Sequence, residues 1–238
     1  MLPHQAKTYT QLYPLITQFD RLYYQHAMKL YLVRHGETEE NATRVIQGWN
    51  PGKLTPLGIE QAERLAHRLR DVRFDAIYSS DSARAADTGR IIGQFHNTPI
   101  QFTDRLRERH MGVFQGGPSL AFEQAQEQSG LSDADFTPEG GESLEELTQR
   151  AMSFVQALRE RHLNQTVLLV AHGRFNSMLL AAASGLSKQD ALTMKQTNTC
   201  VNILECDEQG SFNIQLLNCA AHLADGSSHT IATSTDNS

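Results

Sequence analysis

The stretch Leu30-Tyr31-Leu32-Val33-Arg34-His35-Gly36-Glu37-Thr38 runs from unbroken apolar residues straight into a basic pair, in a chain of 238 residues. Apolar runs without polar alternation read as strands buried on both faces, the pattern of a parallel sheet covered by helices. A second run, Val167-Leu168-Leu169-Val170-Ala171, ends the same way, in His172-Gly173. Open α/β sheets bind ligands outside the carboxyl ends of such strands. Two histidines at two such ends can therefore meet in one cleft. A lone histidine after a strand is ordinarily a hydrogen-bonded structural residue. Here Arg34 adds a permanent guanidinium charge beside His35, and Gly36 lets backbone N–H groups approach an anion. One imidazole to attack and a second to stabilise charge would serve phosphoryl transfer.

The rest of the chain supports that fold class. Thr55-Pro56 reads as an N-cap followed by a first-turn proline, with a helical face at Ile59, Ala62, Leu65, Ala66 and Leu69. Phe74–Tyr78 reads as a strand ending in Ser79-Ser80-Asp81, followed by a helix from near Asp81 through Ala85, Thr88, Ile91 and Ile92. Residues 99–102 read as a short strand. The Gly-, Gln- and Ser-rich segment 111–142 reads as a long excursion holding a short helix. Ser143 and Glu146 form a capping box for a helix with Leu144, Leu147, Ala151, Phe154, Val155 and Leu158 on its face. Strands at 166–171, 200–206 and 212–217, with a helix from 173, complete an α/β fold. The expected architecture is a mostly parallel central sheet covered on both sides by helices.

Three segments follow: an N-terminal helical extension over 1–27, the main domain over 28–222, and a mobile Ser/Thr/Asp-rich tail over 223–238. In the extension, Leu12, Leu15, Ile16, Phe19, Leu22 and Tyr23 repeat at steps of three and four, an amphipathic helix. Packing on the domain surface is the favoured reading. A dimerisation element, or a dispensable leader before a start at Met28, are the others. A homodimer is common among α/β enzymes of this kind.

The net charge of −6 comes without any block of like charge, which argues against the basic footprint of a nucleic-acid binder. No apolar stretch approaches the length of a membrane span, and the first residues lack the pattern of a secretory signal. Cys200, Cys206 and Cys219 have no CxxC spacing. They suggest neither a disulfide framework nor a zinc site, and fit a reducing cytoplasm.

A transferring phosphoryl group spreads charge over three oxygens, so its catalysis is mostly positioning and positive charge. Besides Arg34, the sequence offers Arg84, just after the strand ending at Ser80; the bland alternative is a solvated helix arginine. Glu108, in Arg105-Leu106-Arg107-Glu108-Arg109-His110-Met111-Gly112, is the candidate acid. A carboxyl screened from water can donate a proton to a departing alkoxide. The alternative is an ordinary charged turn with its arginines paired to nearby acids.

Arg34-His35-Gly36-Glu37-Thr38, Ser80-Asp81 with Arg84 and Thr88, Leu106-Arg107-Glu108 with Gly112 and Gly116, and Ala171-His172-Gly173 occur in that order. Together they resemble the histidine phosphatase superfamily, also called the phosphoglycerate mutase-like family, over roughly residues 30–206. The resemblance implies a three-layer αβα sandwich and a phosphohistidine intermediate, with no metal and no cofactor. It makes His35 the nucleophile, with Arg34, Arg84 and His172 as the phosphate clamp. Glu108 becomes the proton donor and later the base. Asn41 and Thr38 are assigned to the phosphate pocket, Gln47-Gly48 to a substrate-side loop, and Gly173 offers its backbone N–H. The chain departs from the family pattern at Glu40, Asp87 and Arg174. Arg174 stands where many members carry a small residue; it either faces solvent or adds positive charge for a second anionic group.

The stretch between Glu108 and His172 looks too short for the cover that a cofactor-dependent mutase needs over its site. With Thr137-Pro138-Glu139-Gly140-Gly141-Glu142-Ser143, the chain looks more like the phosphatase branch. The expectation is a cytoplasmic phosphoric monoester hydrolase of the histidine acid type, acting on a small phosphorylated metabolite. Mutase-type transfer is the alternative, and a non-catalytic phospho-ligand-binding module a more distant one.

Overall fold

The computed structural model describes residues 26–224. The amphipathic extension (to residue 25) and the tail (from residue 225) lie outside the described residues. Six strands form one sheet: β1 (Ala27–Arg34), β2 (Ala76–Ser80), β3 (Ile100–Thr103), β4 (Thr166–Ala171), β5 (Val201–Asp207) and β6 (Phe212–Cys219), in the order β3-β2-β4-β1-β5-β6. The first four are mutually parallel, while β5 and β6 run antiparallel. The sheet is thus mixed. The β5–β6 connection spans only residues 208–211 and turns at Gly210, with φ of +87°, whereas a parallel return needs a crossover of a dozen residues or more.

The helices are α1 (Glu39–Thr43), α2 (Pro56–Leu69), α3 (Ala83–Gly93), α4 (Ser119–Ser129), α5 (Leu144–His162), α6 (Gly173–Ala183) and α7 (Lys188–Thr193). Alternation along the central strands divides the core. Met28, Leu30, Leu32, Val167 and Leu169 face one way, with Leu147 and Phe154 of α5 and Met178 of α6. Val33, Leu168 and Val170 face the other way, with Leu65 and Leu69 of α2 and Ile92 of α3. Both faces are buried, and the three-layer αβα expectation holds.

β2 ends at Ser80 as the sequence reading has it, Ser79 and Ser80 pairing with Phe102 and Thr103 of β3, but it starts at Ala76 rather than Phe74. α3 begins after Ser82, which puts Arg84 at its second position rather than one turn in. The excursion 111–142 holds α4 as expected, but α1 and α7 were not foreseen.

The segment leaving β1 packs backbone against backbone on the start of α2. A Cβ on Gly58 would lie 2.0 Å from the Glu37 carbonyl oxygen, and one on Gly36 2.3 Å from the Gly58 carbonyl oxygen. Alanine ordinarily gains about 1 kcal/mol over glycine inside a helix. Gly58→Ala is nevertheless expected to destabilise by roughly 3 kcal/mol, since main chain cannot swing aside. Denaturant midpoints check this; an unchanged or raised midpoint contradicts it.

Candidate active site

The pairing of β1 with β4 sets Arg34 opposite Ala171, so the next residues, His35 and His172, fall side by side. The His35 amide donates to the Ala171 carbonyl at 3.1 Å, and the two imidazole rings meet edge to face with centroids 5.2 Å apart. Both histidines are buried. His35 Nδ1 lies 2.7 Å from the Gly36 carbonyl. A carbonyl only accepts, so Nδ1 carries the proton and the lone pair resides on Nε2. Arg84 Nε donates to that Nε2 at 3.3 Å. Burial, then the charges of Arg84 and Arg34, hold the His35 imidazole well below its ordinary pKa. His172 is held well below its own by burial and by Arg84.

Arg84 does more than face His35. Its Nη1 donates to the Asn50 carbonyl at 2.6 Å and its Nη2 to the Gly48 carbonyl at 2.8 Å. The guanidinium thus ties the 48–51 loop over the nucleophile, and its burial draws its pKa down to about 10. Thr88, one turn along α3, accepts from the Gly36 amide and donates to the Arg84 carbonyl. Arg34 is anchored through Nη1 to the Gln196 carbonyl at 2.6 Å. Its Nε is buried without a hydrogen-bond partner among the described residues. His172 Nε2 lies 2.9 Å from Ser80 Oγ, while its Nδ1 has no partner among the described residues.

Glu108 follows a short 3-10 turn after β3. Its Oε1 accepts from the amides of Arg109 and Phe175, and its Oε2 from the amide of Arg174. It caps α6 from another part of the chain, since the N-cap residue of that helix, His172, makes no side-chain cap bond. Arg150 of α5 secures this loop by donating to the carbonyls of Arg105, Arg107 and Glu108 while pairing with Glu142 at 2.8 Å. Trp49 closes the near side, its Nε1 donating to the Glu108 carbonyl at 2.8 Å. The charged-turn alternative fits Arg107, paired with Asp81 at 2.5 Å, but not Glu108.

These groups surround a cavity of about 380 Å³. Of the residues expected from sequence, Arg34, His35, Asn41, Gln47, Gly48, Arg84, Glu108 and Arg174 line it. Three do not. His172, edge to face with His35, is fully buried. Thr38 is fully buried, and its Oγ caps α1 by accepting from the Asn41 amide, while Asn41 Oδ1 accepts from the Thr38 amide. Its part is therefore to fix Asn41. Gly173 backs Arg34: a Cβ there would sit 3.4 Å from Arg34 Nε. Arg174, open between solvent and pocket in the sequence, is in the wall.

Sequence reasoning missed the rest of the wall, which includes Ile46, Arg109, Phe122, Gln126, Asp133 and Leu192. Arg109 is 4% exposed and is held by the carbonyls of Phe136 and Glu142. Its burial draws its pKa down to about 10. Among the described residues, no three His, Cys, Asp or Glu side chains form a metal-holding group. No helix there is long and apolar enough to cross a membrane.

A family model described as histidine phosphatase superfamily, branch 1, matches residues 30–220. Phosphoglycerate mutase-like protein 4 of Arabidopsis thaliana is 34% identical over 206 residues, covering 82% of this chain and 86% of its own. The structure of Bacillus stearothermophilus YhfR superposes with a TM-score of 0.77 at 35% identity, over 82% of this chain and 99% of that one. A mycobacterial glucosyl-3-phosphoglycerate phosphatase superposes with a TM-score of 0.73 at 28% identity, over 81% and 99%.

Proposed function

The chain belongs to the histidine phosphatase superfamily, branch 1, and on that premise we propose that it is a phosphomonoesterase hydrolysing small phosphorylated metabolites through a phosphohistidine on His35. The observation that carries this reading is the fixed tautomer of His35. The Gly36 carbonyl holds the proton on Nδ1, leaving Nε2 with its lone pair beside the Arg84 guanidinium.

In the first step His35 Nε2 forms a bond to phosphorus while the bond from phosphorus to the ester oxygen breaks. Glu108, entering as the carboxylic acid, gives its proton to that oxygen. In the second step Glu108, now the carboxylate, takes a proton from water. The water oxygen attacks phosphorus, and the phosphorus–nitrogen bond breaks. Arg34 and Arg84, in the cavity wall, receive the charge on the phosphoryl oxygens, and we assign His172 and the Gly173 amide, just outside that wall, to complete the clamp once phosphate is bound. In this role His172 carries its proton on Nδ1, which has no partner among the described residues, while Nε2 lies 2.9 Å from Ser80 Oγ. Asn41 and the Gln47-Gly48 loop hold the phosphate side of the pocket, with Thr38 keeping Asn41 in place. None of these steps uses a metal or cofactor.

The three cysteines are free, which supports the cytoplasm as the place of work; a homodimer remains our expectation for the assembly. Mutase-type transfer is the second reading, carried by the mutase-like name of the plant relative. The test is hydrolysis of a panel of phosphorylated metabolites with EDTA present and His35→Ala as control. Turnover lost in the variant supports the proposal. Phosphoglycerate interconversion far faster than any hydrolysis overturns it in favour of the mutase. Binding without turnover returns the binding-module reading.

The pH profile gives a second check, in the direction of the histidine acid type. The nucleophile works as the neutral imidazole. A free histidine protonates as pH falls through about 6.5, whereas His35, held well below that value, stays neutral. Corrected for the ester's own ionisation, kcat/KM is expected to show no acidic limb at the free-histidine value. An acidic limb centred near 6.5 contradicts this.

A further inference from the structure

Four guanidinium groups, those of Arg34, Arg84, Arg109 and Arg174, line one small cavity. Among the described residues none of them is paired with a carboxylate; the recorded ion pairs all involve other residues. Glu108, the carboxylate whose charge acts on all four, already accepts three backbone N–H bonds, and Glu40 and Glu142 act on Arg84 and Arg109 from beyond ion-pair distance. The other acid in the wall, Asp133, is exposed.

One phosphoryl group does not account for all four. Arg84 touches the nucleophile and Arg34 adjoins it in the chain, so this pair serves the transferring group. Arg174 and Arg109 are held elsewhere. Arg174 Nη1 makes a single long contact, 3.5 Å, to the Ala191 carbonyl of α7. Arg109 is gripped by carbonyls of the 136–142 segment. Arg174 is also costly where it stands. It occupies the second position of α6, where the helix dipole disfavours a cation, and burial disfavours its charged form. A sequence that keeps a largely sequestered, unpaired guanidinium there has left it for an anion from outside.

We infer that Arg174, reinforced by Arg109, is a second anion subsite, and that the chain prefers phosphomonoesters carrying a second anionic group on a small body. The inference rests on the phosphatase reading for the orientation of the ester. A carboxylate or a second phosphate supplies the required chemistry, because both meet a guanidinium fork in bidentate fashion. Ile46, Phe122 and Leu192 give the intervening carbons an apolar wall.

The test compares kcat/KM for 3-phosphoglycerate against glycerol 3-phosphate, and for propane-1,3-diol bisphosphate against propyl phosphate, in the native chain, Arg174→Met and Arg174→Lys. The same pairs are measured as Kd in the His35→Ala background, with and without Arg174→Met, so that binding is read without turnover. The native chain is expected to favour the second anion by about 10- to 100-fold, the range for a charge-assisted bond. Arg174→Met should bring that ratio close to one, and Arg174→Lys should restore part of it. The two pairs tell carboxylate from phosphate. A native ratio near one, or a ratio unchanged in Arg174→Met, overturns the inference. No turnover of any compound, with the Kd preference present and lost in His35→Ala/Arg174→Met, supports the subsite and overturns the hydrolase reading instead.

Discussion

His35→Ala is expected to abolish hydrolysis of every phosphomonoester the native chain turns over. The argument is geometric. Among the described residues, only His35 presents an imidazole nitrogen both lining the cavity and fixed as a bare acceptor, because the Gly36 carbonyl holds the proton on the other nitrogen. His172 cannot take its place. It is fully buried beside His35 and outside the cavity wall, with Nε2 2.9 Å from Ser80 Oγ. Removing a charge-stabilising partner such as His172 or Arg34 costs on the order of 10²- to 10³-fold. Removing the nucleophile eliminates the covalent route itself and leaves only what the residual charge and binding provide. Steady-state assays on purified variant, with circular dichroism showing an intact fold, check this. Turnover within tenfold of native would mean that water attacks phosphorus directly.

The second large effect is expected at Glu108, and it depends on the leaving group. An alkyl ester departs as a strongly basic alkoxide and needs a proton in the transition state; p-nitrophenolate needs little. General-acid catalysis is worth about 10²- to 10⁴-fold. Glu108→Gln should therefore lower kcat on an alkyl phosphate by that range, and on p-nitrophenyl phosphate by far less. The structure supplies the control this test requires. Glu108 uses both carboxylate oxygens to accept N–H bonds at the start of α6, and an amide offers only one accepting oxygen. A purely structural role would lower the unfolding midpoint and depress both substrates alike. Equal losses would assign Glu108 to the helix cap.

Some of this site is legible in the sequence, for identifiable reasons. The unbroken apolar runs before His35 and His172 give the buried strands, and Ser143 with Glu146 marks the start of α5. The sheet position of the histidines is readable as strand ends. Their adjacency is not, because the register of Arg34 on Ala171 comes from tertiary packing. Ser79 and Ser80 end β2 as read, held there by pairing with β3. The short helices α1 and α7 escape periodicity at five and six residues. Their reciprocal caps, Thr38 with Asn41 and Ser187 with Asp190, were the available signal, with short Asn and Asp standing where Glu or Gln is usual.

The arginines of the Glu108 turn show the same limit. Arg107 and Arg109 are equivalent on paper. Arg107 finds Asp81 at the surface, while Arg109 is drawn inward by carbonyls almost thirty residues away or more. Nothing local separates them. The segment 111–142, which supplies part of the far wall, is legible as a long excursion. Phe122, Gln126 and Asp133 become wall residues only once α4 is folded across the cavity.

The most direct test of the central claim is to trap the intermediate. Native chain is mixed with a rapidly hydrolysed ester, quenched under alkaline conditions that spare phosphohistidine, digested and analysed by mass spectrometry. The account predicts one phosphoryl group on the peptide containing His35, formed as fast as the first alcohol is released and absent in His35→Ala. Alcohol release without any phosphorylated peptide, or a phosphoryl group on another residue, contradicts it.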